Sequence, residues 1–310
     1  MNKVLVTGGC GFIGSHLVPL LLERGYAVTV FDNFSTGKLD NLGTFSRHSN
    51  LSIVRGDIRE GADLHEALKG VEDVVHLAAL IDVAASVVDP IGTHEVNVTG
   101  TLNVLNEAAK SGVRRVVFAS STAVYGHAVS LPVGESSVLQ PISPYAASKA
   151  SGEAYCSAFS RCFGLETVML RFFNVYGPRN ENSPYSGVIT KFLRAASEGR
   201  SLDVYGDGEQ TRDFIYVSDV ARALVLALEK RGLHDDIFNI CTGVQTSING
   251  LIDALRSVFG KDLAISYSLV REGDIKYSYG DPSKAAEGLG FRSRVRIEAG
   301  LRLLLKEYGK

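Results

Sequence analysis

Three glycines, Gly8, Gly11 and Gly14, stand between a short apolar run, VLVT at 4–7, and a helical pattern that opens at Phe12 and stops at Gly25. A chain that begins with a strand turning this tightly into a helix has few folds open to it. Gly8 permits the turn, Gly11 lets a phosphate group approach the backbone, and Gly14 lets the helix pack closely on the strand. The helix N-terminus then offers free N–H groups and the positive end of its dipole to an anion. In this strand–turn–helix setting the triplet reads as a dinucleotide cradle, not as an ordinary glycine-rich turn.

The rest of the N-terminal half has the matching rhythm. Apolar runs at 27–31, 51–54, 73–79, 113–121 and 165–173 read as strands, with a helical pattern from about 94 to 111. A further helix has Ser143 as its N-cap, Pro144 in its first turn and Gly164 just past its end. Strands alternating with helices predict an α/β fold with a doubly wound, parallel Rossmann sheet. Beyond Asn174 the texture changes. Residues 175–187 read as a loop rich in Pro, Gly and Asn, 188–198 as a helix and 205–208 as a turn. Runs at 212–217 and 237–240 read as strands that return to the first domain, and the tail holds a helix at 247–258, a loop at about 271–281 and a final helix. The expected organisation is a dinucleotide-binding domain over 1–175, with returning segments at about 212–240, and a smaller interleaved domain from the rest of 176–310.

Composition narrows the partners. Hydrophobic residues make up 45% of 310, ample for a large core, and a formal net charge of −2 gives no nucleic-acid footprint. No apolar run approaches the length of a membrane span, and the N-terminus has no signal-peptide shape. Cys10, Cys156, Cys162 and Cys241 are scattered without metal-ligand spacing, which points to reduced thiols, no metal site and a cytoplasmic protein.

Asp32 ends the second strand, 18 residues beyond Gly14. A carboxylate there accepts from the ribose hydroxyls of NAD and repels the 2′-phosphate of NADP; no arginine follows it closely, so NAD is expected. Asp57-Ile58, just after the third strand, is placed to hold the adenine. Tyr145 and Lys149 lie four apart on the helix that opens at Ser143, hence on one face. A cation beside a phenol favours phenolate, a usable proton acceptor. By itself that spacing fits an exposed tyrosine beside a solvated lysine. The fifth strand ends in Ser120 and Ser121, and hydroxyls at carboxyl ends of such strands face the ligand crevice. The cradle, Asp32, a strand-end serine and the Tyr/Lys pair together outweigh coincidence.

With those residues in place the chain resembles the extended short-chain dehydrogenase/reductase family, and within it the NAD-dependent nucleotide-sugar 4-epimerases. The resemblance spans essentially the whole chain. It rests on TGGCGFIGSHL, FDNFSTG, GDI at 56–58, HLAA at 76–79, NVTGT at 97–101, SSTAVYG, YAASK, RFFNVYGP, GDGEQTRDFIYV and REGD at 271–274. It implies that Tyr145 is the acid/base, Ser121 its hydroxyl partner, and Lys149 the residue that holds the phenolate and the nicotinamide ribose. It implies an NAD site lined by Gly8, Gly11, Phe12, Ile13, Asp32, Asn33, Ser35, Thr36, Gly37, Asp57, Ile58, Leu77, Ala78, Ala79, Asn97 and Phe172, with Tyr145 and Lys149. Ser121, Asn174, Val188, Leu202, Tyr205, Arg212, Arg271, Asp274 and Ser278 would hold a UDP-hexose, arginine suiting a diphosphate through its planar fork. The implied reaction oxidises the sugar at C4 to a 4-keto sugar and reduces it from the opposite face, with NAD retained between turnovers. The resemblance also implies a homodimer seamed along the helix of Tyr145, where Ala146, Ala147, Ala150, Ser151, Gly152 and Ala154 are small enough for close packing.

Related decarboxylases and 4,6-dehydratases that resemble this chain carry an acid one or two positions after the strand-five hydroxyl. Thr122 and Ala123 stand there instead, which favours a UDP-glucose/UDP-galactose 4-epimerase. Another NAD-dependent UDP-sugar enzyme, a UDP-glucuronate 4-epimerase among them, is the alternative; a non-catalytic dinucleotide sensor ranks below it, since such chains usually lack the tyrosine or the lysine. Ser278, by resemblance beside the sugar 2-substituent, leaves room for the N-acetyl group of UDP-GlcNAc or UDP-GalNAc; it stands equally as an ordinary strand-end serine. Asp82 either repels a uronic acid or faces solvent.

Overall fold

The computed structural model describes residues 2–180, 187–270 and 275–308. In chain order the elements are β1 (Lys3–Thr7), α1 (Gly14–Glu23), β2 (Ala27–Asp32), β3 (Leu51–Arg55), α2 (Gly61–Ala67), β4 (Asp73–His76), α3 (Val83–Val88), α4 (Pro90–His94), α5 (Gly100–Lys110), β5 (Arg115–Ser121), α6 (Pro144–Phe163), β6 (Glu166–Phe172) and β7 (Asn174–Tyr176). They continue as α7 (Val188–Ser197), β8 (Leu202–Tyr205), β9 (Thr211–Arg212), β10 (Phe214–Tyr216), α8 (Val217–Glu229), β11 (Asp235–Ile240), β12 (Thr246–Ser247), α9 (Ile248–Phe259), β13 (Ile265–Ser268), α10 (Ser283–Gly288) and α11 (Ile297–Tyr308).

Seven strands form one parallel sheet in the order β11-β6-β5-β4-β1-β2-β3. The chain crosses from one edge back to the middle between β3 and β4, so a crevice opens beyond the carboxyl ends of β1 and β4, where such sheets bind ligands. Side-chain alternation divides the core between the two faces. Val4 and Val6 pack with Leu17, Leu21, Leu224 and Leu228 under α1 and α8. Leu5 faces the other way, with Leu64, Leu105 and Cys156 under α2, α5 and α6. A third cluster, around Leu193, Leu202, Leu251 and Leu301, joins α7, α9 and α11.

α6 forms where its signals put it: Ser143 accepts from Ala146 N at 3.1 Å, Pro144 fills the first turn, and Gly164 ends the helix at φ 69°. Several boundaries differ from expectation. α1 begins at Gly14, after the turn, not at Phe12. The helix expected from about 94 starts at Pro90, capped by Asp89, and passes through a π-helical turn at Glu95–Thr99 before α5. The fourth strand stops at His76: Leu77 N shares its hydrogen between Thr7 O and the Thr7 hydroxyl, and Ala78 N donates to that hydroxyl at 3.2 Å. The strand expected at 212–217 is broken at Asp213. Its buried carboxylate accepts from Thr242 N and Oγ1 and from Gly243 N, and β10 beyond it pairs with β7 outside the main sheet. β11 does join that sheet, beside β6. Four of the described strands have no counterpart in the sequence pattern: β7 lies where a loop is expected, β8 and β13 pair with each other, and β12 pairs with β9.

Candidate active site

A cleft of about 1010 Å³ runs across the carboxyl ends of the main strands. One end of it is the glycine turn. Gly8 has φ 68°, and a Cβ there would lie 2.8 Å from Ala78 N. A Cβ on Gly14 would lie 2.4 Å from Gly8 O, so helix and turn could not approach as they do. Gly11 meets only Gly8 O, at 3.2 Å, and borders the cleft. The result is bare backbone at a helix N-terminus, which fits a diphosphate.

Asp32 lines the cleft at the end of β2, its carboxylate already braced: Oδ2 accepts from Cys10 N at 2.9 Å and Oδ1 from Phe34 N at 2.8 Å. Burial pushes this carboxyl above its usual range, and those two bonds pull against it. Asn33 Nδ2 donates to Asp57 at 3.0 Å, and Arg59 grips the same carboxylate from Nε and Nη2 at 3.0 and 2.8 Å. The Arg59 hydrogen bonds hold Asp57 well below the usual carboxylate range.

Across the cleft, Tyr145 and Lys149 are almost wholly buried on α6. The Ser121 hydroxyl lies beside the Tyr145 phenol, where it favours the phenolate, and accepts from Ala123 N at 3.1 Å. Lys149 Nζ donates to Ala119 O at 2.8 Å. Burial raises the Tyr145 pKa, with Ser121 opposing, and burial lowers that of Lys149 to about 8. The balance therefore differs from the one expected: desolvation outweighs the Ser121 hydroxyl at the phenol, and the ammonium is bonded to a strand carbonyl.

The cleft brings together most of the expected residues. Gly8, Gly11, Phe12, Ile13, Asp32, Asn33, Ser35, Thr36, Asp57, Ile58, Leu77, Ala78, Ala79, Ser121, Tyr145, Lys149, Phe172, Asn174, Arg212 and Ser278 all border it. Others stand behind the wall. Asn97 is buried and straps the 77–81 loop, accepting from Leu80 N and donating to Leu80 O, both at 2.8 Å. Gly37 packs against the cradle, where a Cβ would lie 2.9 Å from Cys10 C. Leu202 does not border the cleft: strand alternation turns its side chain inward, and it is fully buried in the third cluster. Tyr205 lies on the outward side of β8, and Val188 packs on that same cluster; neither borders the cleft. Arg271 and Asp274 lie outside the described residues. Asp82 does not border the cleft, and its carboxylate caps α3, accepting from Ala85 N at 2.7 Å.

Some cleft residues carry no recognisable signal in the sequence. Arg59 and Lys38 border the Asp32 end. Arg179 borders the cleft in a left-handed backbone conformation, φ 69°, unusual for a residue with a side chain. Its Nη1 donates to Ser15 O at 2.7 Å. That carbonyl lacks a helical donor, because Pro19 stands four residues on and has no N–H. A proline inside a helix, with an arginine in a distant loop, is the available signal; the pairing itself is not readable.

Comparison with known proteins agrees with this geometry. The profile of the NAD dependent epimerase/dehydratase family matches residues 4–241. A solved UDP-N-acetylglucosamine 4-epimerase from Methanobrevibacter ruminantium, in complex with UDP-N-acetylmuramic acid, superposes with a TM-score of 0.94 at 41% identity, covering 99% of this chain and 98% of that one. The UDP-glucose 4-epimerase of Mycolicibacterium smegmatis is 37% identical over 302 residues, 96% of each chain. A UDP-N-acetyl-alpha-D-glucosaminuronate decarboxylase of Bacillus cytotoxicus is 38% identical over 252 residues, 80% of this chain and 77% of that one.

Proposed function

The chain belongs to the NAD dependent epimerase/dehydratase family, and within it we propose that it is a UDP-hexose 4-epimerase. Its substrates are UDP-glucose and UDP-galactose, extended to UDP-GlcNAc and UDP-GalNAc. The observation that carries this reading is the placing of Ser121 and Tyr145 together on a cleft whose next positions, Thr122 and Ala123, bring no carboxylate. A group that can take and return one proton suffices for reversible oxidation at a carbinol carbon. Elimination or decarboxylation by the related enzymes calls on a further acid.

NAD is the family's cofactor, and when bound it would supply reversible oxidation of the sugar at C4, with Phe172 among the residues that would line its site. Gly8, Gly11 and the α1 N-terminus would hold its diphosphate, and Asp32 and Asn33 its adenosine ribose. Tyr145 would take the proton from the sugar 4-hydroxyl as phenolate and give it back to that oxygen when C4 is reduced from its opposite face. Ser121 would hold that oxygen and stabilise the phenolate by donating to it. Lys149, tied to Ala119 O, would keep the phenolate and the nicotinamide ribose in register. Arg212, whose Nη1 binds the carbonyls of Thr211 and Ile275, would place a cation for the UDP diphosphate while fixing the loop that carries Ser278. The N-acetylated substrates enter the reading through Ser278, whose short side chain borders the cleft.

Exposed apolar residues Val87, Val88 and Ile91 on α3 and α4, with Tyr155 on α6, support a homodimer on this side of the molecule. Light scattering reads it directly. The activity is tested by incubating NAD-loaded protein with UDP-galactose and with UDP-GalNAc. Appearance of the C4 epimers supports the reading; retained NAD without conversion of any UDP-hexose overturns it.

A further inference from the structure

Behind the wall of the cleft lies a buried ion pair that the proposed chemistry does not use. Glu153 on α6 and Arg171 on β6 are almost wholly buried, and Arg171 donates from Nε to Oε1 at 2.8 Å and from Nη2 to Oε2 at 2.7 Å. Stability alone is a weak reason for such a pair, since apolar residues of similar volume often serve as well. Each partner makes further bonds, and these run to different walls of the cleft.

One arm reaches the reacting groups. Tyr145, Lys149 and Glu153 recur at four-residue spacing on one face of α6. All three face the end of β5: Tyr145 beside the Ser121 hydroxyl, Lys149 bonded to Ala119 O, and Glu153 bonded to the Ser120 hydroxyl, which donates to Oε1. The last three residues of the strand are thus clipped to one helix face. The other arm runs from Arg171 Nη1 to Tyr125 OH at 2.8 Å, and from that hydroxyl to Asn239 Oδ1 at 2.7 Å. Asn239 Nδ2 donates to Val133 O at 2.9 Å. Val133 N in turn donates to Tyr279 O at 3.0 Å, and Asp281 N to Val133 O at 2.9 Å. The chain of bonds ends one residue from Ser278.

We propose that Glu153–Arg171 is a two-armed brace that positions both working walls: Ser120 and Glu153 hold Ser121 against Tyr145, and Tyr125 and Asn239 hold the segment carrying Ser278. For its kinetic readouts the proposal rests on the epimerase reading. Two single-hydroxyl deletions in the NAD-loaded, full-length chain separate the arms while leaving the ion pair whole. Ser120→Ala should lower kcat by about 10-fold or more, a small displacement at a reacting group being enough, with KM and NAD content unchanged. Tyr125→Phe should instead raise KM and alter the ratio of activities on UDP-glucose and UDP-GlcNAc. Ser120→Ala with wild-type kcat overturns the brace. So does a parallel loss of kcat, KM and thermal midpoint in Ser120→Ala, which marks a purely structural role; this variant decides even if Tyr125→Phe does not fold. A second readout is independent of turnover. The Tyr145 phenol, assigned by ultraviolet difference titration against Tyr145→Phe, should titrate at higher pH in Ser120→Ala, because Ser121 no longer sits where it favours the phenolate. If wild-type protein converts no UDP-hexose, the epimerase reading falls, and an unmoved titration then overturns the brace as well.

Discussion

The two ends of the cleft are built from different materials. Beside β1 the wall is backbone, three glycines in a turn that tolerates no Cβ at Gly14, backed by the buried carboxylate of Asp32. Beside Arg212 and Ser278 the wall is side chains on a two-residue strand and a loop, with Arg212 Nη1 donating to Thr211 O at 2.8 Å and to Ile275 O at 2.6 Å. Tyr145 and Ser121 sit between the two. A backbone wall can be altered only by disturbing the fold; a side-chain wall on a loop can be exchanged freely. One end is therefore suited to a constant ligand and the other to a variable one. Substitutions at each place should separate chemistry, folding and selectivity.

The largest effect is expected at the junction. Tyr145→Phe keeps the ring that fills the buried site and removes the proton acceptor. It should lower kcat by about 10²–10⁴-fold, the usual contribution of a general base, while NAD released on denaturation stays at the wild-type amount. Preserved turnover would remove Tyr145 from the mechanism. Next comes Gly14→Ala, whose added Cβ falls 2.4 Å from Gly8 O and 2.6 Å from Gly9 Cα. Backbone must shift, at a cost of about 1–3 kcal/mol in denaturant unfolding, and NAD content should fall with it. An alanine variant that keeps both would mean the cradle is less tightly closed than this geometry requires.

Ser278→Tyr tests the other end. The residue is partly exposed on a loop, so unfolding free energy and NAD content should stay near wild type. Activity on N-acetylated UDP-hexoses should fall about 10–100-fold relative to UDP-glucose, the range that a local change in pocket shape commands. Equal loss on both sugar classes would break the contrast between the two ends.

That contrast also decides how much is legible in the chain. Strand and helix alternation, the Gly8/Gly11/Gly14 turn, Asp32 and the Tyr145/Lys149 spacing are local signals, each contained within one or two elements. They lead to the doubly wound sheet and to one wall of the cleft. A resemblance does not say which way a strand residue points: alternation in β8 turns the Leu202 side chain into the core. Asn97 is expected at the cofactor, yet its amide is occupied by Leu80, 17 residues away. The Glu153–Arg171 pair and the strap from Arg179 to Ser15 join residues 18 and 164 apart, and no periodicity marks either. Burial, too, is invisible in the sequence, and it reverses the expected balance at Tyr145.

The smallest effect concerns that strap, and it tests whether the sugar-side loop is anchored to the cradle helix. Pro19 leaves Ser15 O without its helical donor, and Arg179 supplies one at 2.7 Å. Arg179→Ala should leave the carbonyl short of a partner and cost about 1 kcal/mol of unfolding free energy. Pro19→Ala returns an N–H to the helix at the position that reaches Ser15 O. In that background the arginine is redundant for this carbonyl, so the same Arg179→Ala change should cost less, by about 0.5 kcal/mol or more. The double-mutant cycle isolates the bond from other roles of either side chain, because those contribute equally in both backgrounds. Additive losses would mean that Arg179 is held for its place in the cleft alone, and that the two ends are coupled only through the sheet.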